Sequence, residues 1–78
     1  METYISVSVT NYGEASELNH GHIYIDAGKL TTTIRVDYET GRKQLARLAK
    51  ALGKAPEMVA NQYNTSIFYY QLRGFIKD

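Results

Sequence analysis

His20 and His22 flank Gly21, and the Asp26 carboxylate follows four residues after His22. On an extended strand His22 and Asp26 share one face, and imidazole beside carboxylate is zinc-ligand chemistry. A zinc site takes three or four such ligands. The chain has no third histidine and no cysteine, so these residues read as exposed polar side chains flanking a glycine turn, with no metal and no cofactor expected. A second set is cationic. Lys43, Arg47, Lys50 and Lys54 recur at i, i+4, i+7 and i+11, a single exposed stripe on a helix that suits an acidic or phosphate-bearing surface. A third set is Tyr69, Tyr70 and Arg73, whose rings and guanidinium could stack bases or anchor a protein partner. The commoner use of such tyrosines is half-buried sheet packing.

Nucleophilic catalysis finds no support in the sequence. There is no cysteine, no Gly-x-Ser-x-Gly elbow and no glycine-rich phosphate loop. Glu14 and Glu17 fall in an expected loop, and Asp26 and Asp37 fall near strand ends, so no nucleophile–base–orienter set forms. The expectation is a protein that is not an enzyme.

The elements that must position these groups follow from periodicity. Ile5, Val7 and Val9 alternate with Ser6, Ser8 and Thr10, which predicts a strand with one buried face. Residues 11–21 read as a loop. A second strand is expected over 22–27, closed by a tight turn at Gly28. The third runs from Leu30 to Tyr38, with Leu30, Ile34, Val36 and Tyr38 on one face. The period then changes: Leu45, Leu48, Ala49 and Leu52 make an amphipathic helix, with Thr40 as expected N-cap and Gly53 as its stop. Pro56 suits the first turn of a second, short helix reaching about Tyr63. Thr65 to Leu72 reads as a final strand, although Phe68, Leu72, Phe75 and Ile76 also fit a helical stripe.

The chain is 78 residues long with a formal net charge of +1, which suits one domain over 1–78. That charge is split. Residues 1–38 carry two cations against five carboxylates, and residues 39–78 carry seven cations against three. No apolar run approaches the roughly 18 residues of a membrane span. The N-terminus has no basic-then-apolar segment. A soluble cytoplasmic protein is expected.

The segment from Leu48 to Val59, LAKALGKAPEMV, resembles the helix-turn-helix core of bacterial and phage repressors. There a small residue, a turn glycine and a Pro-opened recognition helix recur at this spacing. That resemblance, over residues 45–63, implies a DNA-binding transcriptional regulator. Lys50 and Lys54 would contact phosphates, and Glu57, Asn61 and Gln62 would face bases. In size, compactness and lack of catalytic motif the chain also resembles the small orphan proteins of phages and mobile elements, including anti-CRISPR and host-takeover inhibitors. That likeness implies a non-catalytic protein that blocks a host protein or protein–nucleic acid complex.

The combined expectation is an α+β domain: an antiparallel three- to four-stranded sheet, one amphipathic helix packed on one face, and a short second helix. Leu45, Leu48 and Leu52 would cover Val7, Val9, Ile23, Ile25, Ile34 and Val36. Partner contacts would come from Lys43, Arg47, Lys50, Lys54, Tyr69 and Arg73. One helix on one sheet is a thin core, which leaves room for a homodimer or for a sheet edge completed by a partner.

Overall fold

The alternation that begins at Ile5 becomes the centre of a five-stranded sheet. The computed structural model describes residues 2–13, 16–64 and 66–77. Its elements are β1 (Glu2–Asn11), β2 (His20–Asp26), β3 (Thr31–Asp37), α1 (Tyr38–Leu52), β4 (Glu57–Ala60) and β5 (Phe68–Lys77). All neighbouring strands are antiparallel, in the order β3-β2-β1-β5-β4. Val7 lies opposite Ile23 and Leu72, and Val9 opposite Gly21 and Tyr70. This register puts the apolar set of three adjacent strands on one face, and α1 covers it.

The buried core is Val7, Val9, Leu45, Leu48 and Leu72. Ile5, Ile23, Tyr38, Ala49, Leu52, Tyr70 and Ile76 pack around it. The helix therefore sits over β1, β2 and β5. The expected core member Ile34 is 47% exposed at the β3 edge, because one helix is too narrow to reach it. Leu72 fills the core from the other side.

Helix and sheet approach most closely at two glycines. A Cβ on Gly41 would stand 2.6 Å from the Cγ1 of Val9, and one on Gly21 would stand 3.0 Å from the Gly41 Cα. The first turn of α1 rests directly on β2 because neither residue has a side chain.

The start of α1 is earlier than expected. Asp37, not Thr40, is the N-cap, and its carboxylate accepts from the Thr40 backbone N–H at 3.3 Å and from the Thr40 hydroxyl. The same contacts hold the Asp37 carboxyl below the usual carboxylate range, the Thr40 hydroxyl contributing most. Gly53 ends the helix at φ 65°, and its N–H donates to the Ala49 carbonyl, as expected of a left-handed C-terminal glycine.

The short second helix is not formed. Glu57–Ala60 is a strand instead, pairing with Phe68–Gln71 of β5. It raises the expected three or four strands to five. Pro56 ends the approach to a strand here, and Met58 and Val59 gain a ladder partner that an isolated helical turn would lack. The region 45–63 is thus helix, turn and strand, with no recognition helix after Gly53. Of the expected base-facing residues, Glu57 is on β4. Asn61 uses its side-chain oxygen to accept the Tyr63 and Asn64 N–H groups in the β4–β5 turn, and Gln62 lies in that same turn.

The final strand begins at Phe68 and runs to Lys77, later and longer than expected. Thr65, expected to open it, and Glu14, expected in the β1–β2 loop, lie outside the described residues. No helix among the described residues is long and apolar enough to cross a membrane.

Candidate binding surface

Among the described residues, a helix covers one face of the sheet and not the other. Side chains alternate across the strands, so the residues between the core positions point to the opposite, open face. The pairing register arranges them in rows. Asp26, Tyr4 and Phe75 form one row. Thr33, Tyr24, Ser6 and Arg73 form the next, and Arg35, His22, Ser8, Gln71 and Glu57 the one after. Ser6 and Ser8 keep the middle of the face low, and longer side chains stand on both sides.

An aromatic cluster occupies one end. The Tyr4 ring lies 5.2 Å from Phe75 and 6.0 Å from Tyr24, both edge-to-face. Tyr4 is thereby held upright between neighbours on β2 and β5. Phe75 remains 61% exposed. Such pairs contribute about 0.5–1.5 kcal/mol each beyond their area burial. Arg73 and Arg35 lie in the adjoining rows.

The opposite end carries the histidines. His20 and His22 share this face, with ring centroids 4.8 Å apart. The His20 Nδ1 is 2.7 Å from the Leu18 carbonyl oxygen, and Tyr12 stacks on its ring at 6.4 Å. The pKa of His22 is lowered from 6.5, first by burial and then by the charges of His20 and Arg35. Its imidazole is therefore neutral at pH 7. Among the described residues no group of three or more His, Asp or Glu side chains could hold a metal ion.

The expected partner-binding residues do not form one site. Lys43, Arg47, Lys50 and Lys54 are all exposed on the outer side of α1 or just past it, with the sheet behind them. Tyr69 and Arg73 are on the open face. Tyr70 points the other way, towards the helix, beside Phe68 at 5.4 Å. The two groups are joined only around the sheet edge, where Lys54, Glu57, Gln71 and Arg73 line a shallow cleft of about 200 Å3. Part of the stripe has a local role. Lys43 pairs with Glu39 at 3.8 Å, and Lys50 sits in the last turn of α1, where a cation is favoured by the helix dipole.

Beside α1, the helix-side surface of β5 and Pro56 leaves an open trough of about 570 Å3 lined by Val9, Tyr38, Leu45, Ala49, Phe68 and Tyr70, with Arg42 at its rim.

Sequence reasoning missed Tyr4, Tyr24, Phe75 and Arg35 as surface candidates. The signal was present in the period-2 pattern. If Ile5, Val7 and Val9 face the core, Tyr4 faces away. If Ile23 and Ile25 face it, Tyr24 faces away.

No family model, no curated protein and no solved structure matches this chain.

Proposed function

We propose that this is a non-catalytic binding protein that blocks a macromolecular partner, a protein or a protein–nucleic acid complex, by seating the open sheet face on it. The observation that carries the reading is the Tyr4–Tyr24–Phe75 cluster beside Arg73 on a face that no helix covers. Rigid aromatic and arginine side chains on a strand platform are the residue types that dominate binding energy at protein interfaces. The charge balance of the face favours protein over a polyanion. Arg35, Arg73 and Lys77 are offset by Glu2, Asp26, Asp37 and Glu57, and His22 is held neutral. The mechanism is steric occlusion, as in the small phage and mobile-element inhibitors that the chain resembles in general character.

The basic stripe supports a second contact. Lys43 to Lys50 spans about 10 Å of helix rise, with Lys54 just past the helix end, and the stripe points away from the sheet, so it suits an acidic surface or phosphates on the same assembly. As a DNA-binding regulator the protein would depend on this stripe alone, through backbone contacts without base readout.

The test is affinity capture from host lysate with and without nuclease. The wild type is compared with Tyr24→Ser/Phe75→Ser and with Arg47→Glu/Lys50→Glu/Lys54→Glu. The expected result is one protein partner that resists nuclease and is lost with the aromatic variant. Capture that disappears with nuclease, falls steeply with salt and depends only on the cationic residues would replace this reading with the DNA-binding one.

A further inference from the structure

The two edges of the sheet are not equivalent. β4 is four residues long and fully exposed, a short edge of the kind that discourages further pairing. β3 has seven residues in unbroken register with β2, and no described residue pairs with its outer side. It contains no proline, no lysine and no bulge, three of the usual devices that protect an edge; its two charges, Arg35 and Asp37, are of opposite sign. Its one large apolar side chain, Ile34, is 47% exposed on the helix side of the sheet, and Leu30 just before it is 69% exposed.

We propose that two copies of the chain pair β3 against β3 antiparallel, about a two-fold axis through Ile34. The result is one continuous ten-stranded sheet. This inference goes beyond the proposed function and does not depend on it. The occupant is a second copy because the strand is self-complementary in this register. Thr31 meets Asp37, Thr32 meets Val36 and Thr33 meets Arg35, each twice, and Ile34 meets its own copy. All seven residues overlap, and no like charges stand opposite one another. Moving the axis one residue towards Asp37 would set Arg35 against Arg35, which is unfavourable. Moving it one residue the other way shortens the overlap and sets Ile34 against Thr32. With the axis normal to the sheet, both helices lie on one side. Both open faces lie on the other, doubling that surface for a partner.

Sedimentation equilibrium of the full chain tests this. The expected mass moves with concentration from 8.8 kDa to twice that value. Ile34→Lys puts like charges on the axis and weakens association roughly tenfold or more. At the exposed Thr33, the two substitutions have opposite effects. Thr33→Glu, opposite Arg35, tightens the dimer by roughly threefold, and Thr33→Arg loosens it by about as much. Far-ultraviolet circular dichroism confirms that each variant is folded. If Ile34→Lys unfolds, the Thr33 pair decides. A chain that stays at 8.8 kDa at every concentration overturns the proposal. So does a dimer indifferent to both Thr33 substitutions.

Discussion

On the covered side of the sheet, Val7, Val9 and Leu72 are between 1% and 6% exposed. On the open side, Phe75 keeps 61% of its surface in water. The same strands, and in β1 the same run of residues, build both. At the centre of the covered side the apolar residues are packed by the fold itself: Val7, Val9 and Leu72 meet Leu45 and Leu48 of the helix, and Gly21 and Gly41 bring the helix down onto the sheet. The open side leaves part of its aromatic surface in water, at Phe75 above all. Its rings meet one another at their edges and leave area for something else. The proposed function thus puts recognition on the face opposite the one whose packing holds the fold together.

That division predicts a graded series of effects on stability. Leu45→Ala removes a side chain 6% exposed at the helix–sheet contact and should cost about 2–4 kcal/mol, read by urea denaturation. Gly41→Ala is next. Helix propensity alone would favour alanine by about 1 kcal/mol. The new methyl would stand 2.6 Å from buried Val9, so overpacking wins and the net loss should be about 1–2 kcal/mol. A stabilised Gly41→Ala protein would mean that the two layers are not in the close contact described. Asp37→Ala removes the N-cap and should cost about 1 kcal/mol, with Asp37→Ser restoring most of it. Because the folded-state pKa of Asp37 is depressed, its contribution is present above its ordinary value of 3.8 and is lost as pH falls through the folded value. The wild-type and Asp37→Ala stabilities should therefore converge in acid. Phe75→Ser, on the open face, loses the edge-to-face contact with Tyr4 and should cost about 0.5–1 kcal/mol, while removing partner capture. A large loss of stability there would collapse the distinction between the faces. The smallest effect belongs to His22. Its pKa is lowered from 6.5, so the fold favours the neutral ring. Its contribution is complete above pH 6.5 and declines as the pH falls towards the folded value. His22→Gln should flatten the pH dependence of the melting temperature in that window.

The covered side was the readable one. Ile5, Val7 and Val9 against Ser6 and Ser8 specify a strand and its buried face. Leu45, Leu48 and Leu52 with Gly53 specify a helix and its end. The edges were harder. Phe68, Leu72 and Ile76 are spaced by four, which satisfies a strand face and nearly satisfies a helical one; Tyr70 and Gly74, packed on the same side, distinguish the two only once β1 is in place. β4 carried helix signals in Pro56 and Glu57. All four of its residues are exposed, so only the ladder to β5 makes it a strand, and that partner is invisible to local pattern. Asp37 fitted the alternation of β3 so well that its second role as helix cap was concealed. The binding candidates divided for a similar reason. A helical stripe is visible from spacing, whereas a surface assembled from β1, β2 and β5 needs the sheet order, which spacing does not contain.

If recognition belongs to the open face, binding must shield the rings on that face from solvent. Hydroxyl-radical footprinting of the captured complex tests it most directly. Tyr63, 89% exposed and far along the β4–β5 turn, serves as the internal reference. Strong protection of Tyr4, Tyr24 and Phe75 on partner binding is expected, with Tyr63 unchanged. Full reactivity of all three rings in a saturated complex, with protection confined to the α1 side, would contradict it.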